Sequence, residues 1–240
     1  MNIKGGHTFY GQDIGILMLD TVFPRVPGDM GNARTFDFPV RYKVVRNIFE
    51  GQKLPRNADQ LLLGAFTKAA KELEQEGCRA ITTPCGFLAG FQKELAEAVN
   101  IPVFTTTLSL VPMVASMIGS KKSIGIFTER KEFMTDFLFE KAGWSEKNYN
   151  ICVSDLKEDS AFNKLIIYDS IDGDLSAIDD EVKEMTLAHM EQYPDTGAII
   201  LECQNLAPFG RIIQQYSGVP VFGMNQLVEF IESTLDYRQY

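Results

Sequence analysis

The chain has 240 residues, 45% of them apolar, and a formal charge of −9 at pH 7. That size suits one large globular domain or two small lobes. The acidic balance, without a basic run, argues against a general nucleic-acid or anionic-membrane surface, and no stretch approaches the roughly 20 apolar residues of a membrane span.

Residues 14–19 are a short apolar run closed by Asp20 and predict a buried strand. Residues 21–39 carry Pro24, Pro27, Gly28, Gly31 and Pro39, a loop of about 19 residues, long enough to suggest a lid or binding loop. Residues 40–45 predict a second strand. Asn57 or Asp59 is placed to cap a helix running to Glu76 and stopping at Gly77, its apolar positions at helical spacing. A strand over 79–83, a helix over 88–99, a strand over 101–105 and a helix over 108–118 with Pro112 in its first turn follow. The second half begins with a strand at 123–127. Thr128 is then expected to cap a helix reaching about Lys141, and residues 149–153 form the next strand. Residues 154–174 give no clear pattern. A helix over 176–193, a strand over 198–201, a helix near 207–216, a strand over 219–222 and a last helix from Gln226 complete the chain. Strands alternating with helices predict an α/β fold of mainly parallel sheets.

One stretch occurs twice. Ile81-Thr82-Thr83-Pro84-Cys85-Gly86 is matched by Ile199-Ile200-Leu201-Glu202-Cys203-Gln204 at an offset of 118 residues (203 − 85). Leu88, Ala89 and Phe91 match Leu206, Ala207 and Phe209, and Pro102-Val103-Phe104 matches Pro220-Val221-Phe222 without a gap. The repeat implies two facing lobes, with residues 1–105 and 219–240 in the first and 106–218 in the second.

Each half carries one cysteine where a parallel strand ends and a helix begins. Ligands of open α/β sheets bind at that end, and the helix N-terminus is expected to lower a thiol pKa there. Two sulfurs facing one ligand from opposite sides could take a proton from one face of a carbon and return it to the other. Two buried structural cysteines are the competing reading. Cys78 and Cys152 have no repeat partner and read as packing residues. No C-x-x-C pair, ligand-spaced histidine or glycine-rich nucleotide fingerprint is present, so no metal and no nucleotide are expected. The first residues lack an apolar signal core, and a cytoplasmic location with reduced thiols is expected.

Thr83-Pro84-Cys85, Ile101-Pro102-Val103-Phe104, Ser123-Ile124-Gly125-Ile126-Phe127-Thr128, Leu201-Glu202-Cys203 and Val219-Pro220-Val221-Phe222 together resemble the aspartate/glutamate racemase superfamily. That superfamily also contains hydantoin racemases, maleate isomerases and arylmalonate decarboxylases. The resemblance implies two pseudo-symmetric sheet lobes with the site between them. It also implies proton transfer by Cys85 and Cys203 without a cofactor or metal, a small carboxylate-bearing substrate, and a homodimer. Amino-acid racemases of the group usually follow the first cysteine with Asn-Thr and the second with Thr-His. Here Gly86-Phe87 and Gln204-Asn205 stand in those places, which bears on the substrate more than on the chemistry.

Further site residues are expected around this pair. Thr128 matches the family threonine that often holds a substrate carboxylate, a role compatible with an N-cap. Thr105 ends a strand on the ligand side and either binds a carboxylate or begins a loop. Arg25 or Arg34 could pair a carboxylate, with exposed loop arginines as the alternative. Asn32 could donate to a carboxylate or shape a turn. Asn205 either faces the ligand or caps its helix, and Asp20 could orient Cys85 or a substrate amino group. Glu202 is set aside, because neighbouring residues of a strand point to opposite faces. The expected activity is an isomerase, a cofactor-independent racemase or epimerase of an amino acid or derivative. The alternatives are a maleate-type cis-trans isomerase or related lyase using the same cysteines, and a two-lobed ligand-binding protein without chemistry.

Overall fold

The computed structural model describes residues 5–46, 60–84 and 86–236. Its framework is two four-stranded, all-parallel sheets flanked by helices. The first comprises β1 (Ile14–Leu19), β2 (Val40–Val45), β3 (Ala80–Thr82) and β4 (Val103–Phe104), in the order β2-β1-β3-β4. Helices α1 (Gln60–Gln75), α2 (Gln92–Ala98) and α3 (Val111–Ile118) belong to this half of the sequence. The second sheet comprises β5 (Ser123–Thr128), β6 (Ile151–Asp155), β7 (Thr196–Leu201) and β8 (Val221–Phe222), in the order β6-β5-β7-β8. Its helices are α4 (Asp136–Lys141), α5 (Ala161–Ile166), α6 (Leu175–Gln192), α7 (Gly210–Ser217) and α8 (Met224–Leu235).

The two sheets are built alike because their central strands are. Both β1 and β5 are buried along their whole length, as expected of parallel strands covered on both faces. Each carries a glycine at its second or third position. A Cβ at Gly15 would lie 2.8 Å from Leu73 Cδ1 of α1, and one at Gly125 would lie 2.7 Å from His189 Nε2 of α6. Both glycines therefore let a helix lie close against the sheet.

The lobes exchange helices. Val111 and Val114 of α3, which follows the first sheet, bury against Ile124, Ile126, Ala198 and Ile200 of the second. Met224, Leu227 and Val228 of α8, which follows the second sheet, bury against Ile14, Ile16 and Ala80 of the first. Each apolar core is thus closed by a segment from the other half of the sequence. No helix of the described residues is long and apolar enough to cross a membrane.

Two elements depart from expectation. The helix expected from Leu88 begins as a 3-10 helix, Gly86–Phe91, and becomes α-helical only at Gln92. The helix expected directly after Thr128 is absent. A short 3-10 turn, Lys131–Phe133, intervenes, and α4 starts at Asp136. Within the uninterpreted stretch 154–174, Ser160 caps α5 by accepting from Asn163 N (3.1 Å), and Asp174 caps α6. The cap expected at Asn57 or Asp59 lies outside the described residues.

His189 is buried on α6, between Ser154 Oγ (2.7 Å from Nδ1) and Thr196 Oγ1 (3.1 Å from Nε2), edge-on to the Phe127 ring. Burial pushes it down from its ordinary 6.5 to about 4, so it is neutral at pH 7. The unfolded chain takes up that proton near 6.5 and the folded chain only near 4. His189 therefore subtracts stability as pH falls through that interval and has no effect above it. Urea midpoints measured from pH 7 downward should decline through this window, and His189→Gln should flatten the decline; parallel declines in the two proteins would show that other groups cause it.

Candidate active site

The carboxyl ends of the strands of both sheets meet at a cavity of about 350 Å³. Leu19, Thr21, Phe23 and Arg25 line it from the first lobe, with Pro84 and Gly86 from the turn after β3. Cys85 stands between those last two in sequence and lies outside the described residues. From the second lobe come Thr128 and Glu129 at the end of β5, and Glu202, Cys203, Gln204 and Asn205 just beyond β7.

The chain leaves the strand conformation at Leu201. The N–H groups of Glu202 (2.8 Å) and Cys203 (3.4 Å) both donate to Phe127 O, and the 3-10 helix Gln204–Phe209 starts immediately after. Strand alternation therefore stops before residue 202, and Glu202 and Cys203 face the same cavity. This corrects the expectation that excluded Glu202.

Cys203 is 5% exposed. Its Sγ donates to Glu129 Oε2 at 3.5 Å, and Asn205 Nδ2 lies 3.9 Å from Sγ. Burial pushes the thiol well above its ordinary value; Glu129 and Glu202 push it further, and the Asn205 backbone N–H pulls it back only partly. The helix-start donor that was expected to lower the thiol is present, but desolvation and two carboxyl neighbours outweigh it. The resting group is a thiol, not a thiolate. Burial likewise raises Glu129, against the opposing pull of Arg130 at 3.1 Å. Burial raises Glu202 to about 7, although Thr128 Oγ1 donates to its Oε2 at 2.7 Å. The threonine hydroxyl is committed to this carboxyl and caps no helix.

The loop after β1 spans both lobes. Phe23 is buried with Phe162, Leu165, Leu206 and Phe209 in the core of the second lobe. Asp169, between α5 and α6, accepts from the N–H groups of Val22 (2.8 Å) and Phe23 (3.1 Å). Its backbone is left-handed (φ 52°), a conformation that aspartate tolerates better than most residues. Arg25, stacked 4.0 Å from the Phe23 ring centroid, pairs with both oxygens of Asp29 (3.0 and 3.2 Å) and reaches Asn205 Oδ1 at 3.5 Å.

Of the residues expected at the site, Cys203, Thr128, Gly86, Gln204 and Asn205 line the cavity. Four others do not. Asp20 is exposed and faces Arg46 at 3.9 Å, and Arg34 is exposed. Asn32 is turned into its own loop, donating to Arg25 O (2.8 Å) and accepting from Arg34 N (2.9 Å). Thr105 is buried against α2, its N and Oγ1 both donating to Gln92 Oε1 at 2.8 Å. Asn205 makes no cap, because Cys203 holds the N-cap position. The sequence reading missed Glu129, Arg130 and Phe23. The first two were open to inference, since they directly follow the strand-end Thr128.

No family model matches the chain. Its two sheets superpose on the glutamate racemase RacE1 of Bacillus anthracis with a TM-score of 0.62, at 16% identity, covering 94% of this chain and 82% of that one. Unliganded arylmalonate decarboxylase gives 0.57 at 16% identity, covering 92% and 91%. The allantoin racemase of Klebsiella pneumoniae gives 0.59 at 15% identity, covering 92% and 86%. The chain shares the fold of these two racemases and the decarboxylase. By sequence, the chain is similar to a dimethylsulfoniopropionate lyase of Durusdinium sp. clade D, 27% identical over 87% of this chain and 70% of the lyase. It is also similar to dimethylsulfoniopropionate lyase 7 of Emiliania huxleyi, 24% identical over 95% and 68%. That fold thus comes with sequence relatives named as lyases rather than isomerases.

The Asp169 latch gives a direct expectation. Asp169→Ala leaves two backbone donors without their acceptor, and amide exchange at Val22 and Phe23 should accelerate about tenfold. Unchanged exchange would show that the loop is held by Phe23 packing alone.

Proposed function

We propose that the cleft abstracts a proton from the carbon next to a carboxylate in a small substrate that also carries a positive charge, and that the reaction is a β-elimination of the kind dimethylsulfoniopropionate undergoes. One observation carries the reading: the buried Cys203 thiol is flanked by the carboxyl groups of Glu129 and Glu202, while Arg130 and Arg25 on the cavity wall pair with Glu129 and Asp29. A dianionic ligand would add repulsion to that cluster. A cationic group beside it lowers the thiol's pKa instead, because an opposite charge within about 4–6 Å favours the ionised form. Such a substrate promotes formation of the base that attacks it.

The chemistry balances without a cofactor. Cys203 releases its proton to solvent by way of Glu129 as the cation enters, and the thiolate takes one Cα hydrogen. The C–H electron pair becomes the Cα=Cβ bond. The Cβ–S bond breaks with its pair remaining on sulfur, so a neutral dialkyl sulfide departs and an α,β-unsaturated carboxylate remains. For dimethylsulfoniopropionate the products are dimethyl sulfide and acrylate.

Racemisation is the second reading, favoured by the duplicated cysteine. Cys85 has sequence neighbours, Pro84 and Gly86, that line the same cavity as Cys203. Both readings share the first proton transfer and differ in whether a leaving group departs before a proton returns. Incubation in D₂O separates them. Elimination releases dimethyl sulfide, whereas racemisation returns substrate deuterated at Cα.

With dimethylsulfoniopropionate, sulfide release should be abolished by Cys203→Ala and strongly reduced by Cys85→Ala. Because the Cys203 thiol is raised, kcat/KM should climb about tenfold per pH unit above neutrality until the thiol ionises. A flat profile across that range would exclude Cys203 as the base, and absence of sulfide release at every pH would exclude the elimination.

A further inference from the structure

Glu202 is the residue before Cys203, and Gly86 is the residue after Cys85. They touch across the cleft. A Cβ built on Gly86 would overlap Glu202 Oε1 and lie 3.2 Å from its Cδ. The carboxyl is not free to swing aside, since Thr128 Oγ1 holds Oε2 at 2.7 Å and the residue is 5% exposed. Its backbone is fixed too, because Glu202 N donates to Phe127 O at 2.8 Å. Nor does a shift of the turn as a whole offer relief. Pro84 precedes it with φ fixed by its ring, and the buried Leu88 and Ala89 follow within the same 3-10 helix.

We propose that Glu202 is a positioning residue: its carboxyl occupies the volume that a side chain at position 86 would fill, and so sets how closely the turn after β3 approaches the Cys203 turn. The contact explains two features together. Residue 86 is glycine, although its backbone is not left-handed and glycine is not conformationally required there. A carboxyl also tolerates deep burial beside a second one, because it acts by size and through one accepted hydrogen bond. The proposal rests on reading the cleft as the seat of Cys203 proton transfer. Its test is therefore built to report even if that reading fails.

The experiment is a double-mutant cycle on the full chain. Gly86→Ala inserts a methyl group into the wedge, and Glu202→Ala removes the wedge. Each should lower kcat for dimethylsulfoniopropionate about tenfold, with a smaller effect on KM. The double variant should recover activity above either single variant. Glu202→Gln, equal in size and without charge, should lose far less than Glu202→Ala. Alkylation of Cys203 by iodoacetamide, followed by mass spectrometry, needs no substrate. It should accelerate in both single variants, whose clefts sit at the wrong width, and slow again in the double. Multiplicative losses in both readouts would overturn the proposal, and so would Glu202→Gln behaving like Glu202→Ala. If no substrate turns over at all, the alkylation cycle alone decides it.

Discussion

Three acidic groups, the Cys203 thiol and the carboxyls of Glu129 and Glu202, share one small desolvated space, and the site depends on how their charge is limited. A buried, unpaired charge costs several kcal/mol, and a group in that position protonates instead. Arg130 beside Glu129 offsets part of that cost, and burial still holds Glu129 above its ordinary value. Glu202 accepts from the Thr128 hydroxyl and feels Arg130 more weakly, and burial still pushes it up to about 7. Burial and its two carboxyl neighbours hold Cys203 protonated. The resting cleft therefore holds its acids mostly as neutral hydrogen-bonding groups, and any ligand that brings charge redistributes the protons.

That arrangement needs a cleft whose width does not wander, and the lobes are tied in several independent ways. The helix exchange places α3 on the second sheet and α8 on the first. Thr107 Oγ1, just after the first sheet, donates to Leu201 O at 2.7 Å, next to the cysteine turn, and Lys141 of the second lobe reaches Glu94 of the first at 2.9 Å. Asn225 Nδ2 donates to Gly28 O at 2.8 Å, and Phe23 is sealed into the opposite core. A binding protein that opens and closes about a hinge concentrates motion in a few unpacked residues. Here the connections are buried or half-buried and spread over several elements, which suits a preorganised site more than a closing one.

Much of this was legible in the sequence, and the parts that were not share a cause. β1 and β2 fall at the residues their patterning indicates. A parallel strand covered on both faces must be continuously apolar, and Ile14 to Leu19 is. The repeat exposed the paired cysteine turns because both lobes use the same strand-to-turn exit. Local rules failed where a polar residue serves a partner distant in sequence. Thr128 followed by Glu129 reads as a cap and an acidic first turn, but both side chains are drawn to residues 202 and 203, 74 positions away. Thr105 reads as a ligand residue, yet Gln92 takes both its donors. Alternation excluded Glu202 only on the assumption that the strand continued past Leu201. The Asn57 or Asp59 cap and the placement of Cys85 fall outside the described residues.

The fold and the sequence relatives point to different reaction names, and the charge in the cleft suggests how one scaffold could serve both. Racemisation and elimination share a carbanion next to a carboxylate, and their fates diverge on what sits at Cβ. When Cβ bears only carbon or hydrogen, the carbanion waits for a proton, and a second acid on the opposite face decides the outcome. When Cβ bears a sulfonium, the carbanion's electron pair can expel a neutral sulfide. The cationic centre then disappears as the double bond forms, and no second acid is needed. An acidic cleft favours binding a cation and gains nothing by holding a neutral sulfide, so it also favours release of that product. A thiol raised by burial and by two carboxyl neighbours is drawn toward ionisation by a cationic ligand, which the second fate supplies. A positive counter-charge near the sulfur would favour a thiolate without help from a cationic ligand. In the described residues around Cys203, the nearby guanidinium groups are instead engaged with Glu129 and Asp29.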